Sequence, residues 1–330
     1  MTELFTNLQY VGIDVSKNFL DIGLLPENTH WQIPNTKKDV RQLIKKLSPK
    51  AKVLLESTGG YERNCAEQLD TMGLSVCVIN PRLVFHFRKS HNQSAKTDAI
   101  DAMILAQYAK ERPALRYGLS SKKQQTLIDY EHCLSHLKQV KQATSDRAIK
   151  APILALKRVH LRVIKQVEKE LETLEAQMIE LIEGDQEMKV LYRRLQTVPG
   201  VGPGVALTLV ASLPELGHIS HKAIARLVGV APIANDSGLK TGKRFIQGGR
   251  ENVRRAIYMA ALVGIRHNPL LKTFYEKKVQ EGKVKKVALI ACMNKLTHIL
   301  NSMVANGTDF MGPEQTGEPA LQQSDLEEKC

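Results

Sequence analysis

Two short apolar runs near the start of the chain each end in a carboxylate, and they constrain the fold more than any other feature. The first run, residues 10–14, ends in Asp14, and the second, residues 51–56, ends in Glu56. Both runs are short and rich in leucine or β-branched residues, as buried strands are, and turn residues follow the second. Ligands bind at the strand ends of α/β sheets. The pattern therefore predicts an α/β sheet with a functional site at its edge.

A second pair of acids stands at the start of a predicted helix. Thr97 is expected to be the N-cap, so Asp98 and Asp101, three apart, share one face of the first helical turn. Carboxylates crowded into one site repel each other unless divalent cations neutralise them, and hard ions such as Mg²⁺ take oxygen ligands. Sites of this kind suit in-line displacement at phosphorus. We predict a site for Mg²⁺, or alternatively Mn²⁺, formed by Asp14, Glu56, Asp98 and Asp101.

Each of these acids also has a structural interpretation. An aspartate at the end of a strand is commonly a cap or a turn former, and Asp98 could simply favour the helix dipole. Two strand-end acids together with an i, i+3 acid pair in one domain-sized segment favour the metal site over the structural interpretation.

The charge of the chain indicates the class of partner. Its 330 residues include 47 Lys and Arg against 34 Asp and Glu, a net charge of +13, which favours a nucleic acid. The longest uninterrupted apolar stretch, residues 256–265, is too short to span a bilayer, and the first residues do not resemble a secretory signal. We expect no membrane partner. Five scattered cysteines without CxxC spacing indicate neither a zinc site nor a disulfide framework, and they fit a reducing cytoplasm.

The pattern of the chain divides it into four segments. Residues 1–118 alternate strands and helices, and we expect three early antiparallel strands before the sheet turns parallel, as in an RNase H-like fold. Residues 119–190 form long helices, and residues 191–310 form a mainly α-helical domain. The polar, acidic tail, residues 311–330, is expected to be disordered.

A heptad seam in the central segment predicts a coiled-coil partner. Its apolar residues alternate in spacing between three and four: Ile164, Val167, Leu171, Leu174, Met178 and Leu181. The partner is either the preceding helix, around residues 127–140, or the same helix of another subunit. Oligomerisation is therefore suggested, and both alternatives stay open.

The C-terminal domain begins with a glycine-rich turn between two apolar helices. Residues 195–206 are similar to the helix-hairpin-helix element, in which glycines such as Gly200 and Gly202 expose backbone N–H groups to a DNA phosphate. An αα-hairpin that packs closely through its glycines is the alternative.

A basic, glycine-broken loop surrounds Ser237. The loop, residues 236–244, is followed by two glycines, Arg250 and a helix beginning near Glu251. Its cations and those of the following helix are candidates for contact with nucleic acid: Lys240, Lys243, Arg244, Arg250, Arg254 and Arg255. A Ser-Gly pair is also a common turn, so the residues alone leave a chemical role for Ser237 open.

The order of these motifs resembles a known group, the IS110 family of insertion-sequence recombinases. Members join a RuvC-like DEDD domain to a C-terminal serine transposase domain and are related to the Piv DNA invertase. The resemblance extends from about residue 9 to residue 305. The motifs that carry it are Gly12–Lys17, Glu56–Tyr61, Val78–Pro81, Lys96–Ala102, Pro199–Gly202, Asp236–Gly238 and Arg254–Met259.

The resemblance implies a role for each matching position. Asp14, Glu56, Asp98 and Asp101 match the metal-binding tetrad of the family, and Ser237, eight residues after Gly229, falls where the family has its nucleophile. It implies a DNA recombinase that forms a covalent 5′-phosphoserine and is guided by a noncoding bridge RNA. It also implies that the two sites meet between subunits of a dimer or tetramer on DNA. The loop after Ser237 is shorter than in some relatives, which leaves the roles of its basic residues open.

Three other functions remain possible. The first is a metal-dependent, structure-specific DNA nuclease of the junction-resolvase type, without a serine intermediate. The second is an ATPase of the actin and sugar-kinase type, which is disfavoured because Val15-Ser16-Lys17 follows the first strand and no second glycine-rich phosphate loop appears. The third is a non-enzymatic nucleic-acid scaffold, in which the four carboxylates would be dispensable.

Overall fold

The protein forms two compact units, Met1–Ser121 and Lys122–Cys330. The computed structural model describes residues 8–91, 97–112, 118–234, 236–237, 242 and 244–311. Nearly all of the predicted acidic tail lies outside these residues. The first unit contains a sheet with helices, and the second is mainly helical over the residues described.

The first unit is built on a mixed five-stranded sheet of order β3-β2-β1-β4-β5. β1 pairs antiparallel with β2, and β2 with β3, whereas β1, β4 and β5 are parallel neighbours. The predicted change from antiparallel to parallel pairing is therefore confirmed. The elements are β1 Tyr10–Val15, β2 Phe19–Leu25, β3 Thr29–Pro34, α1 Lys37–Ile44, β4 Lys52–Glu56, α2 Arg63–Thr71, β5 Ser75–Ile79, α3 Pro81–Ser90 and α4 Asp98–Glu111.

Two glycines bring α4 against the sheet. Gly12 in β1 and Gly23 in β2 are register partners. A Cβ on Gly23 would lie 2.8 Å from the backbone of Ala102, and a Cβ on Gly12 would overlap the backbone of Ala102 and Ala106. Real Cβ atoms do not approach backbone so closely, because repulsion at these distances is severe. The glycines therefore allow the backbone of α4 to pack directly against β1 and β2.

The second unit begins with a long helical hairpin followed by a helical domain. The elements are α5 Lys122–Lys150, α6 Leu154–Glu183, α7 Gln186–Gln196, α8 Pro203–Ser212, α9 His221–Val228, α10 Glu251–His267, α11 Pro269–Gln280 and α12 Lys285–Asn306. The seam of α6 packs on α5: Val167 and Leu171 belong to the same buried core as Leu127 and Leu134. Of the two partners considered for the seam, the structure contains the preceding helix of the same chain.

Helix α12 is long and apolar enough, by length and composition alone, to cross a membrane. It buries Leu289, Cys292, Leu296 and Leu300 in the core of the second unit. A core helix of a globular domain has the same length and composition, and these contacts are those of a core helix.

Candidate functional site

The first unit brings the four predicted carboxylates together. Asp14 lies near the end of β1, Glu56 ends the adjacent parallel strand, and Asp98 and Asp101 occupy the first turn of α4. Burial raises the pKa of Asp14 to about 6, and repulsion from Asp101, Asp98 and Glu56 adds to this, while the backbone N–H of Val15 opposes it. The other three carboxylates are thus close enough to Asp14 to repel its charge.

The start of α4 is fixed by the predicted cap. The Thr97 hydroxyl oxygen accepts a hydrogen bond from the backbone N–H of Ile100 at 3.3 Å, and the Thr97 carbonyl accepts one from Asp101 at 2.9 Å. Asp101 is buried, Asp98 is exposed, and Asp14 and Glu56 lie between these extremes. The tetrad is therefore open on one side and closed on the side of Asp101.

Arg88 on α3 is a cation of this site that the sequence pattern does not predict. Its guanidinium donates to the Asp101 carboxylate, and both side chains are largely buried. The Arg88 Nε is also buried and has no hydrogen-bond partner within the described part of the chain. One of the four carboxylates is therefore already neutralised by the protein. The pattern of α3 gave no indication of this contact, because the two residues lie on different elements.

Glu62 holds the loop that follows Glu56, a role that the sequence pattern likewise does not predict. Its buried carboxylate accepts hydrogen bonds from the backbone N–H groups of Thr58, at 3.1 Å, and Gly60, at 2.8 Å. Burial raises the pKa of Glu62, but these hydrogen bonds outweigh it and leave the pKa below its usual value. An ionised Glu62 thus shapes the turn beside the tetrad.

The chemistry of the tetrad fits a hard divalent cation, because all four side chains offer oxygen and their repulsion is uncompensated at Asp14. In this conformation, no three His, Cys, Asp or Glu side chains of the described residues are close enough to hold an ion. Asp101 faces Arg88 instead. Binding a cation with all four carboxylates therefore requires side-chain movement.

The second unit presents Ser237 on an exposed loop. Ile233 and Phe245 pair across the base of this loop, with a hydrogen bond of 2.8 Å from the Ile233 N–H to the Phe245 carbonyl. The Asp236 carboxylate accepts from Arg244 at 2.7 Å and from the Gly242 N–H at 3.0 Å. The Arg244 hydrogen bond is the main reason that the pKa of Asp236 lies below its usual value. Asp236 therefore ties the two sides of the loop next to the serine.

At the base of the loop that carries Ser237, glycines pack against each other's backbone. Gly229 ends α9 in the left-handed conformation, with φ at 80°, and a Cβ on it would overlap the Gly248 carbonyl. A Cβ on Gly249 would likewise overlap the backbone of Gly229. Arg254 donates to the same Gly248 carbonyl. The loop therefore leaves the helical domain from a closely fitted base.

The predicted DNA-binding arginines have intramolecular partners in this structure. Arg250 forms two hydrogen bonds with Glu215, at 2.6 and 2.7 Å, and one with the Ser212 carbonyl at 2.8 Å. Arg255 is exposed and pairs with Glu251 at 3.0 Å. These contacts give Arg250 a structural role at the loop, whereas Arg255 remains solvent-accessible. The predicted Lys240 and Lys243 lie outside the described residues.

The two glycines of the hairpin between α7 and α8 differ. Gly200 has φ at 105°, and a Cβ there would lie 2.5 Å from the Ala260 carbonyl of α10. Gly202 is the exposed N-cap of α8, and a Cβ there would meet nothing within 4 Å. Close packing therefore explains Gly200, and Gly202 leaves the N-terminus of α8 open to an anion.

Comparison with known proteins relates both units to transposases. A DEDD transposase model of the IS110 type matches residues 11–150, and the model of the IS116/IS110/IS902 transposase family matches residues 192–276. The pilin gene-inverting proteins of Moraxella bovis and Moraxella lacunata are each 27% identical over 316 residues, 91% of this chain and 97% of theirs. The IS110 43.6 kDa protein of Streptomyces coelicolor is 28% identical over 144 residues, 42% of this chain and 33% of its own.

The matches follow the order of the sites in the chain. The DEDD model includes all four carboxylates, and the second model includes Ser237 and its loop. A DEDD domain of this type suggests dependence on a divalent metal. The chain thus belongs to the IS110 family of transposases and is an enzyme that transposes or recombines DNA.

Proposed function

We propose that this transposase cuts and rejoins DNA through a covalent 5′-phosphoserine at Ser237, assisted by Mg²⁺ at the Asp14, Glu56, Asp98 and Asp101 tetrad. The observation that carries the proposal is the meeting of the four carboxylates at one end of the sheet, where burial, together with repulsion from Asp101, Asp98 and Glu56, raises the pKa of Asp14 to about 6. A divalent cation neutralises carboxylates crowded into one site, and hard cations prefer oxygen ligands. The mixed sheet that carries the tetrad is consistent with the RNase H-like fold proposed for this unit.

Ser237 has the exposure that a nucleophile for a large substrate needs. In the proposed step, Ser237 Oγ forms a bond to phosphorus and the bond from phosphorus to the 3′-oxygen breaks. The hydroxyl proton of the serine is balanced by the proton gained by the departing 3′-oxygen. Reversal of this step onto an exchanged strand restores the DNA backbone and frees the serine.

Arg244 is suited to stabilise the charge that develops in this step. Asp236, the neighbour of Ser237, holds the Arg244 guanidinium at 2.7 Å, so the cation stays in the loop that carries the nucleophile. Preorganised cations near a phosphoryl centre lower the barrier because the pentacovalent transition state carries extra negative charge.

The tetrad contributes from the first unit. A divalent cation, when bound there, would act as a Lewis acid and neutralise phosphate charge. Glu62 keeps the loop after Glu56 in place, and Arg88 contacts the Asp101 carboxylate. A serine hydroxyl is a weak nucleophile unless it is activated, so we propose that the two sites act on the same phosphodiester.

Other partners follow from the family resemblance and belong to the same proposal. They are donor and target DNA, a noncoding bridge RNA that selects both by base pairing, and further copies of the chain in a dimer or tetramer. The Moraxella relatives are named for inverting a gene, which is a rearrangement of DNA. Free thiols at Cys65, Cys77, Cys133 and Cys292 are consistent with a cytoplasmic enzyme.

A covalent-adduct assay tests the mechanism. The protein is incubated with labelled element-junction DNA, guide RNA and Mg²⁺, and denaturing electrophoresis resolves protein-bound from free DNA. We expect an adduct with wild type and none with Ser237→Ala, while Asp14→Asn, which retains the serine, shows reduced adduct. Strand cleavage by Ser237→Ala without any adduct would instead support the junction-resolvase nuclease.

A further inference from the structure

Helix α3 carries an exposed row of cationic and aromatic side chains, here called the α3 stripe. It consists of Arg82, Phe85 and Lys89, which are spaced i, i+3, i+7 and therefore lie along one side of the helix. Phe85 is 51% exposed, and the Lys89 Nζ lies 4.5 Å from its ring centroid. The helix contains no Asp or Glu. A large aromatic ring is thus held in solvent between two cations.

The stripe lies next to the tetrad. Arg88 follows Phe85 by three residues, so the two side chains are neighbours on the helix surface. Arg88 donates to the Asp101 carboxylate, whereas Val84 and Phe87 face the core of the unit. A chain that contacts the α3 stripe therefore passes beside the carboxylates. The rise of a helix separates Arg82 from Lys89 by about 10 Å.

The composition of the stripe matches single-stranded nucleic acid better than protein. Unpaired bases stack on exposed aromatic rings, while Lys and Arg on either side contact backbone phosphates. An apolar protein partner would have to desolvate both flanking cations without neutralising them, which is unfavourable. The His86 ring, 5.5 Å from that of Phe85, widens the aromatic surface.

We propose that the α3 stripe binds an unpaired DNA strand beside the tetrad, with one base stacked on Phe85 and phosphates contacted by Arg82 and Lys89. The proposal rests on the proposed function, since it assigns DNA to the tetrad. DNA is favoured over RNA because the stripe adjoins the carboxylates, where the phosphodiester to be broken must lie.

The test measures binding of the full-length protein to a fluorescein-labelled oligothymidylate by fluorescence anisotropy. Phe85→Ala is expected to weaken binding by about tenfold, as loss of one stacked base does, and Phe85→Trp to retain it. Arg82→Gln and Lys89→Gln are each expected to reduce the slope of log affinity against log salt by about 0.7. Phe19→Ala and Lys38→Gln are the matched controls, because both residues are exposed in the same unit, Phe19 by 45%.

A single abasic site in the oligonucleotide separates stacking from general loss of affinity. The abasic site is placed at successive positions along the strand, and at one of them it should lower the DNA affinity of the wild type. At that position it should not lower the affinity of Phe85→Ala any further, since both changes remove the same contact. Thermal unfolding of each variant checks that the exposed substitutions leave the fold intact.

Three results would overturn the proposal. The stripe is not a nucleic-acid surface if Phe85→Ala and Phe19→Ala bind DNA equally well. It is an RNA surface if the stripe variants lose affinity only for the oligouridylate of equal length. It is a protein interface if the variants change the oligomeric state by sedimentation while DNA affinity is unchanged. A missing serine adduct would contradict the proposed mechanism without altering these affinities.

Discussion

At the scale of single residues, the position of Asp14 disfavours its charged carboxylate and so carries a cost to stability. Asp14 is charged at pH 7.5, because its pKa of about 6 lies below that pH, and it is surrounded by three other carboxylates. We predict that Asp14→Asn stabilises the metal-free protein by on the order of 1 kcal/mol, allowing for solvent screening of this partly exposed group. The variant should lose recombination, because one oxygen ligand is replaced by a weaker one.

The stability of the first unit can be followed by the fluorescence of Trp31, the one tryptophan of the chain. Asp70→Asn, an exposed change in the same unit, is the control and should leave the unfolding temperature as in wild type. Lower stability of Asp14→Asn in EDTA would show that the charged Asp14 carboxylate does not destabilise the folded protein.

Arg88 is predicted to compete with the metal ion for Asp101. Arg88→Gln leaves a buried carboxylate without its cation, so the metal-free protein should lose about 3 kcal/mol of stability. The site also becomes more negative, and its affinity for Mn²⁺ should rise, by about tenfold. Isothermal titration with Mn²⁺ measures the affinity, and Arg41→Gln on the exposed side of α1 is the control. Weaker Mn²⁺ binding by Arg88→Gln would mean that Arg88 positions Asp101 for the metal and does not compete with it.

At the scale of elements, the two glycines of the hairpin between α7 and α8 are predicted to have different roles. Gly200 serves packing, and Gly202 serves phosphate binding. Gly200→Ala should destabilise the second unit by about 2 kcal/mol or more, because of its positive φ and the Ala260 carbonyl 2.5 Å away. Gly202→Asp should keep or raise the stability, since Asp is a good N-cap.

Gly202→Asp should weaken the binding of duplex DNA although it keeps or raises the stability. A carboxylate at the N-terminus of α8 occupies and repels the predicted phosphate position, so we expect about tenfold weaker binding at low salt. Fluorescence anisotropy with duplex DNA, together with thermal unfolding by circular dichroism, measures both effects. Unchanged affinity of Gly202→Asp would make the element a structural αα-hairpin.

A contact between two histidines, on α9 and α12, leads us to predict that the stability of the second unit depends on pH. His298 of α12 packs its ring 4.8 Å from that of His221, and burial, with repulsion from His221, lowers the pKa of His298. In the unfolded chain His298 binds a proton below about pH 6.5, whereas in the folded protein it does so only at lower pH. The contribution of neutral His298 to the stability of the folded protein is therefore complete above about pH 6.5. It is lost as the pH falls from there towards the lower pKa of His298 in the folded protein.

Replacing the ring nitrogen atoms should remove this dependence. We expect His298→Phe to lose less stability than wild type between pH 7.5 and 5.5, as measured by urea unfolding of the second unit by circular dichroism. His136→Phe on the exposed side of α5 is the control and should behave as wild type. An equal loss in His298→Phe and wild type would assign the acid sensitivity to other groups.

Across the whole molecule, local patterns were predictable and contacts between distant segments were not. The strands, the change of pairing in the sheet and the Thr97 cap follow from periodicity and capping chemistry, which act over a few residues. The contact of Arg88 with Asp101 depends on how α3 and α4 pack, and the roles of Gly12 and Gly229 depend on backbone that only the fold brings near. When two side chains on distant segments contact each other, the spacing of residues in the sequence does not indicate the contact.

The division of the proposed active site between two units leads to a prediction for mixtures of variants. Asp14→Ala retains Ser237, and Ser237→Ala retains the tetrad, so each alone should fail to recombine DNA. If the tetrad of one subunit serves the serine of another, a mixture restores one intact site in every mixed dimer, and roughly half of the dimers are mixed at equal concentrations. The mixture should therefore form the serine adduct, with the DNA attached only to the Asp14→Ala copy, which a size tag on one variant identifies. A double variant, Asp14→Ala with Ser237→Ala, mixed with either single variant should stay inactive. Failure of the mixture, with mixed dimers demonstrated by pull-down, would place tetrad and serine of each active site in the same subunit.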